Sequence, residues 1–520
     1  MCGIVCSGVT VAVGAILVVV SCVLSFVVIP NVIENTIISE TVLKSDTIQL
    51  ERFEEVPFPL NFTVRIFNLT NSADYLEGAV PVLEETGPYI YKLYQTREFD
   101  SVEDDIIKYR RREHFEFDAV ASYPHTEDDM VTIINIPYHA IIQIAEMSFA
   151  NLLPLLNLAM SGVFGEFNSP IATFRVQDLL FNGIVLCKNP GLIGSIACNI
   201  IRDIGAGAQN LEEQEDGSVV FSTLAYKQDK PSGLYEVHRG LINHTDLGEI
   251  ISFDNSSYFS YWPNDTYWDD LIEVHRPGVC NMINGTDSGI FAPLVDRSKH
   301  LYAINTDICR SVELRYEQDT EYEGIPTVRF SADDWLLDNN EGCFCLNVTE
   351  GLNQDNGCLL KGAMELYTCV GALLVMSYPH FLFANETYRN GVVGMDPQEE
   401  NHKIFMDIEP NTGTPVRGFK RAQFNIFSRR IPGISATSNL RTTLVPFLWV
   451  EEGIRLPEEF VEELTNKLLN RLRLVDILIP VLIAVSAVVL LLGIGFTIRA
   501  KYGHRKSIIK LHKPIECELV

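Results

Sequence analysis

The chain has 520 residues, of which 47% are hydrophobic and 21% are charged, and its formal net charge is -28. This apolar content excludes a mostly disordered chain, and the excess of acid argues against a nucleic-acid binder, which needs cations to meet phosphates. The apolar residues are concentrated at the two ends and the acidic residues between them.

The N-terminal segment predicts a membrane span. The first 33 residues carry no charged side chain, and residues 4–29 are almost wholly apolar. A helix needs about 20 such residues to cross a bilayer. The run is longer than the roughly 7–15 apolar residues of a signal peptide, and no basic segment precedes it. We therefore predict a short cytoplasmic N-terminus and an uncleaved first span within residues 1–30.

Short segments of alternating apolar and polar residues follow at irregular spacing. This pattern favours an antiparallel sheet or barrel over a βαβ array. The segments are residues 61–67, 88–94, 106–117, 218–226, 312–317, 325–330, 402–408 and 421–427. No repeat or low-complexity linker divides the region, so we predict one domain over residues 31–474.

Residues 137–165 are unusually apolar for an external domain. Glu146 is the only charged side chain between Val131 and Gly165. The length would allow a third span, but a third span would place later glycosylation acceptors in the cytosol. We expect helices with an apolar surface here; the alternative is that the apolar residues are simply core.

The surroundings of this segment support an exposed apolar surface. No Lys or Arg occurs between Glu113 and Phe174, and no glycosylation acceptor lies between Asn68 and Asn243. Bulky glycans are kept off surfaces that must touch a partner. The region therefore suits an apolar ligand or a protein partner.

The C-terminal part predicts a second span and fixes the orientation. Residues 457–473 place acid first and base last, as a helix dipole favours, and the apolar run 475–498 follows. The tail, residues 499–520, carries six basic residues, and positive charge beside a span marks the cytoplasmic side. We predict a two-span plasma-membrane protein with both termini in the cytoplasm.

Eight Asn-X-Ser/Thr acceptors lie between the predicted spans, as expected of a glycosylated external domain. They are Asn61, Asn68, Asn243, Asn255, Asn264, Asn284, Asn347 and Asn385.

The 12 cysteines divide between the membrane ends and the external region. Cys2 and Cys6 flank the cytoplasmic end of the first span and are candidates for palmitoylation, with plain span residues as the alternative. The eight external cysteines predict disulfides in an oxidising compartment, although their connectivity stays open. A zinc site around Cys343 and Cys345 is the alternative for part of this set.

Motifs that would indicate an enzyme are missing. The sequence has no Gly-X-Ser-X-Gly, no His-Glu-X-X-His and no phosphate loop, and its 11 histidines have no metal or catalytic spacing. We predict that the protein is not an enzyme, with no catalytic residue, no metal and no cofactor.

Five motifs, in this order along the chain, resemble the class B scavenger receptor family. They are Cys280-Asn-Met-Ile-Asn-Gly-Thr-Asp287, Asp307-Ile-Cys-Arg-Ser311, Cys343-Phe-Cys345, Ser377-Tyr-Pro-His-Phe381 and Asp407-Ile-Glu-Pro-Asn-Thr-Gly413. Together with the two anchors they cover essentially the whole chain. Within the family the chain is most similar to the insect sensory neuron membrane proteins, through Cys187, Cys198 and Trp449-Val-Glu-Glu-Gly453.

The resemblance implies an α+β membrane protein with an antiparallel β-barrel core, an apical helical bundle and an apolar tunnel towards the bilayer. Residues 137–165 match the apical helices. The disulfides that it implies are Cys280–Cys343, Cys309–Cys369 and Cys345–Cys358, with Cys187–Cys198 as the fourth. One departure concerns scavenger receptors of oxidised lipoproteins, which use apical lysines, because residues 168–173 contain none.

The resemblance further implies a receptor-like transfer protein for hydrophobic, lipid-derived ligands such as pheromones. The apical helices would collect the ligand, and the tunnel would pass it to the membrane or to an odorant receptor; an odorant-binding protein is a further candidate partner. The expected apical contacts are Phe149, Leu152, Leu153, Leu156, Met160, Phe164 and Phe167. The alternative is a scavenger or clearance receptor for lipids or debris.

Overall fold

The computed structural model describes residues 2–205, 207–269, 272–276, 278–339 and 343–511. These residues form two units. The described parts of the two terminal segments, up to Thr41 and from Pro457 onwards, make up one, which we call the helical unit. The other runs from Val42 to Leu456, and we call it the compact unit.

Most of the helices are short, and the long ones stand at the two ends of the chain. They are α1 (Cys2–Val23), α2 (Ile29–Thr41), α3 (Ile48–Glu54), α4 (Ser72–Leu76), α5 (Ile136–Phe149), α6 (Leu153–Phe164), α7 (Gly191–Gly205), α8 (Tyr367–Val370), α9 (Glu386–Asn390), α10 (Glu399–His402), α11 (Glu458–Leu464) and α12 (Asn470–Leu511). π-Helical turns at Leu24–Val28 and Thr465–Leu469 join α1 to α2 and α11 to α12.

The strands all lie in the compact unit. They are β1 (Leu60–Leu69), β2 (Leu83–Glu103), β3 (Ile106–Phe117), β4 (Met130–Ile134), β5 (Ile171–Arg175), β6 (Ile184–Leu186), β7 (Leu211–Glu213), β8 (Val219–Phe221), β9 (Pro231–His238), β10 (Ile250–Phe253), β11 (Asp265–Asp269), β12 (Ile272–Arg276), β13 (Leu301–Asn305), β14 (Arg310–Tyr322), β15 (Ile325–Ala332), β16 (Met364–Glu365), β17 (Leu374–Ser377), β18 (Ile404–Ile408), β19 (Pro415–Ser428) and β20 (Thr443–Arg455).

A 13-stranded antiparallel sheet dominates the compact unit, in the order β10-β9-β3-β2-β1-β20-β19-β18-β15-β14-β13, with β17 and β16 attached beside β19. The two edge strands of this sheet, β10 and β13, both bond to the dipeptide Gly285-Thr286. Ile250 N–H of β10 donates to Gly285 O (2.8 Å), and Ile304 N–H of β13 donates to Thr286 O (2.9 Å). Within the described residues no strand pairing closes the ring. The predicted antiparallel sheet is therefore confirmed, whereas a closed barrel is not found.

The alternating segments locate most of the large sheet. Residues 61–67 lie within β1, and β3 spans the whole predicted segment 106–117. The prediction over 218–226 is wrong beyond Phe221, because the chain turns there and Leu224 N–H bonds back to Leu180 O (2.8 Å).

Among the described residues, three helical segments are long and apolar enough to cross a membrane: Gly8–Thr41, Ile136–Phe167 and Glu458–Tyr502. The first and third pack together in the helical unit. A Cβ atom on Gly14 would lie 2.6 Å from Leu490 Cα, so only glycine permits that approach. Ser21 Oγ and Ser486 Oγ form a buried hydrogen bond of 2.6 Å between α1 and α12.

The apolar segment 137–165 is partly surface and partly core. Ile142 and Phe164 are buried in the main core of the compact unit, whereas Leu155 and Leu158 are exposed. Both interpretations of this segment thus hold for different faces of α5 and α6, because each helix buries only one side in the core.

Four disulfides join the eight cysteines of the compact unit. They are Cys187–Cys198, Cys280–Cys343, Cys309–Cys369 and Cys345–Cys358. These are the pairs that the family resemblance implies. The pairing leaves no thiolate pair at Cys343 and Cys345 for the alternative zinc site.

Candidate ligand-binding site

The helical hairpin of α5 and α6 is anchored at its base by Asn135. Its side-chain oxygen caps α5 by accepting from Tyr138 N–H, and its amide nitrogen donates to Phe167 O (2.7 Å) and Ser169 O (2.8 Å). One side chain therefore ties the start of α5 to the end of the α6 segment. The pairing of β4 with β5 closes the same base.

A third helix, α7, completes the bundle. α6 and α7 approach through two glycines: a Cβ atom on Gly162 would lie 3.2 Å from Gly194 Cα. The Cys187–Cys198 bridge ties α7 to the strand before it, and Cys187 N–H donates to Val163 O (2.7 Å) at the end of α6. Small residues and a disulfide thus fix α7 against α6.

A cleft with about 760 Å³ of empty space lies between these three helices, and we call it the α5–α7 cleft. All 16 residues of its lining are apolar or glycine. Ile141 and Ile144 contribute the α5 wall, Leu155 the α6 wall, and Ile193 and Ile196 the α7 wall. Such a surface favours an apolar ligand, because no side chain in the lining could form a hydrogen bond or an ion pair with a polar ligand.

The seven predicted contacts separate into three groups. Phe149, Leu152 and Leu156 line the α5–α7 cleft. Phe167 is half-buried, and its ring packs at a tilt of 46° against that of Phe174, with the ring centroids 5.0 Å apart. The remaining three point into the main core and contribute nothing to the cleft lining: Leu153, Met160 and Phe164.

The sequence analysis missed the α7 wall. Ile193, Ile196, Ala197 and Ile200 recur at helical spacing, so the period-3.6 signal was present. Leu211 and Gly371 complete the lining from distant parts of the chain, and no local pattern indicates them.

The opposite face of α5 is polar and buried. Gln143 Nε2 donates to Phe427 O (2.9 Å), and Glu146 pairs with Arg429. Burial, reinforced by the Arg429 charge, lowers the pKa of His139 to about 4, although its bond to Pro170 O opposes the shift. The ring is therefore neutral at physiological pH.

A second cavity, the inner cavity, lies against β13, β14 and β17–β20, with about 870 Å³ of empty space. Of its 21 lining residues, 15 are apolar. The six polar ones are Ser288, Asn305, Asp307, Lys420, Arg421 and Glu452. The two cavities share no lining residue, so a continuous tunnel stays a prediction.

The glycosylation acceptors lie at the surface. Asn68 and Asn284 are half-buried, and the other six are exposed: Asn61, Asn243, Asn255, Asn264, Asn347 and Asn385. The side chains of Cys2 and Cys6, the palmitoylation candidates, lie outside the described residues. In the part of the chain that the structure describes, no group of three or more His, Cys, Asp or Glu side chains is placed to hold a metal ion.

Comparison with known proteins gives consistent relatives. The model of the CD36 family matches residues 12–497. The chain is 34% identical to sensory neuron membrane protein 2 of Drosophila melanogaster, over 87% of this chain and 90% of that protein. It is 30% identical to sensory neuron membrane protein 2 of Anopheles gambiae, over 92% and 91%. Sensory neuron membrane protein 1 of Pediculus humanus subsp. corporis is 34% identical, over 87% and 84%.

Proposed function

Because the chain belongs to the CD36 family, we propose that it is a membrane receptor that binds hydrophobic, lipid-derived ligands, such as pheromones, and transfers them. The ligand enters the α5–α7 cleft and passes through the compact unit to the membrane or to an odorant receptor. The names of the sensory neuron membrane proteins support a sensory role.

The α5–α7 cleft is the observation that carries this proposal. Its lining is entirely apolar, and several of its side chains are open to solvent, with Leu155 44% and Ile196 52% exposed. Burial of an alkyl chain there is favourable by about 25 cal/mol per Å². No covalent step is needed, so the site requires no catalytic residue.

The inner cavity supports the transfer step. It lies in the same compact unit as the cleft and is largely apolar. A tunnel that joins the two would keep an alkyl chain out of water along its path. The two terminal helices anchor the unit, and the packing of Ile142 and Phe164 into its core supports two spans over three.

The scavenger alternative has no comparable support. Capture of anionic particles needs cations at the entry, and the cleft lining offers none. Residues 168–173 likewise contain no lysine.

The test is native mass spectrometry of the full-length protein, released from detergent, with hexadecyl acetate as the probe. Leu156→Trp fills part of the cleft and is expected to reduce the retained probe by about tenfold. Leu158→Trp is the matched control: it lies on the same helix and is exposed, but does not line the cleft.

Equal retention by both variants and the unmodified protein would remove the cleft from the binding path. Retention of anionic lipoprotein but not of hexadecyl acetate would favour the scavenger function.

A further inference from the structure

The inner cavity changes character along β19. Lys420, Ala422 and Phe424 stand at every second position of β19 and line the same cavity, and Arg421, beside Lys420, reaches the lining as well. At about 3.3 Å per residue, Phe424 lies about 13 Å from Lys420 along the strand. Beyond Phe424 the wall continues with Met376, its pairing partner on β17. The cavity therefore has a charged end and an apolar end.

Every charge at the charged end has an opposite partner within 3.3 Å. Lys420 and Glu452 both line the cavity and pair with each other (2.8 Å). Arg421 also lines it and pairs with Glu451 (2.7 Å), which lies outside the lining. Lys227 bonds Asp307 (2.8 Å) in the lining and Glu113 (3.3 Å) behind it. Further pairs back the wall: Arg111–Glu113 (3.2 Å) and Arg97–Asp287 (2.7 Å).

These groups form one electrostatic unit with no net charge. Its cations are Lys420, Arg421, Lys227, Arg111 and Arg97; its anions are Glu452, Glu451, Asp307, Glu113 and Asp287. Burial by itself raises the pKa of Glu113, but Lys227, Arg111 and Lys420 outweigh burial and lower it. The Glu113 carboxylate is thus ionised, and the five cations balance five anions.

Lys420 has donors to spare. An ammonium group carries three N–H donors, and among the described residues its Nζ bonds Glu452 alone. The Lys420 side chain is 34% exposed in the cavity region, against 18% for Glu452. Its free N–H groups can meet an oxygen atom of a ligand. An additional negative charge, in contrast, would leave the balanced unit with an excess anion in a poorly solvated place.

We propose that the inner cavity selects neutral oxygenated amphiphiles, namely long-chain alcohols, aldehydes or esters, over carboxylates of the same length, with the head-group oxygen at Lys420 and the alkyl chain towards Met376. This proposal rests on the proposed function and adds the substrate class and its orientation. The head group is read by hydrogen bonds from Lys420, and the pairing of Lys420 with Glu452 keeps a carboxylate out.

The experiment is competition between hexadecanol, hexadecanal and hexadecanoate, mixed in equal amounts at pH 8, for the full-length protein in native mass spectrometry. The retained neutral compounds are expected to exceed the carboxylate by about tenfold. Glu452→Gln gives the charged end a net charge of +1 and is expected to remove or reverse that preference. Lys420→Gln is expected to weaken retention of all three compounds and of the carboxylate most.

Glu313→Gln is the control. Glu313 pairs with Arg315 on β14 (2.8 Å), outside the cavity lining, so its loss should leave the preference unchanged. Thermal unfolding of each variant verifies that the fold is intact. Equal retention of the three compounds by the unmodified protein, or an unchanged preference in a folded Glu452→Gln variant, would overturn the inference while the proposed function stands. Retention of none would count against both.

Discussion

Polar side chains line the inner face of α5, although this helix belongs to the most apolar segment of the compact unit. Glu146 is the lone charge of that segment, and its partner Arg429 stands 283 residues away in the chain. His139 is fully buried, with Nε2 bonded to Pro170 O (3.1 Å). Polar contacts thus hold one side of α5 in place, while its other side lines the α5–α7 cleft.

His139 should make the stability of the protein fall in mild acid. Its pKa of about 4 in the fold lies below the ordinary value of about 6.5, so the unfolded chain takes up a proton first. Stability is therefore lost as pH falls from about 6.5 towards 4. Between pH 7 and pH 5 the loss from this residue should be about 2 kcal/mol.

Thermal unfolding at the two pH values measures this loss. His139→Gln should flatten the pH dependence by that amount, whereas His244→Gln, in a surface turn, should not. An equally steep pH dependence in the His139 variant would contradict the assignment.

At the scale of elements, the two terminal helices depend on small residues for their contact. Gly14 and Gly493 lie where a Cβ atom would press on the backbone of the other helix, and Ser21 bonds Ser486 between them. Inside a bilayer no hydrophobic effect drives helices together, so close packing of this kind is what would hold two membrane spans together.

Gly493→Leu should separate α1 from α12, because a Cβ atom there would lie 2.9 Å from Val11 N. Gly495→Leu is the matched control, since no atom lies within 4 Å of its Cβ position. Oxidative cross-linking of cysteines placed at Ser21 and Ser486, with Cys22 changed to Ser, reports the contact. The cross-link should form in the Gly495 variant and decline severalfold in the Gly493 variant. Equal cross-linking in both would mean that the glycine contact is dispensable.

The elements also show which patterns a sequence reveals. β3 was predicted over its full length because one face is apolar and the other polar. β20 is not predicted because most of its residues are buried on both faces, which leaves no alternation, and its register with β19 shifts between Leu448 and Pro446. Leu153 and Met160 lie in the core and outside the cleft lining, and composition alone does not tell which side of α6 faces the core.

At the scale of the whole molecule, the structure shows how the charged residues behind the net charge of -28 are distributed. Much of the acid is paired locally, and the charged end of the inner cavity is balanced. Many of the other acidic residues are exposed on the compact unit, where they aid solubility. The α5–α7 cleft is the local exception, because no charge lines it.

The orientation of the whole chain is a prediction for intact cells. Epitope tags at both termini should bind antibody only after permeabilisation, because the basic tail holds the C-terminus in the cytoplasm and two spans return the N-terminus there. Glycosidase digestion should lower the apparent mass, and Asn347→Gln should lower it by one glycan. A tag at either end that is accessible in intact cells would contradict this orientation, and a tag accessible at one end alone would contradict two spans.

The amino-acid sequence by itself determined the apolar ends, the antiparallel sheet, the family and the apolar segment at the cleft. Each of these leaves a pattern of neighbouring residues, or a series of motifs in a fixed order, along the chain. The tertiary structure decided which apolar residues face the cleft, and it added Leu211 and Gly371 to the lining. It also brought Lys420, Glu452 and Asp307 to one end of the inner cavity. Such groupings join residues far apart in sequence, so they exist only once the sheet has set its strand order and register.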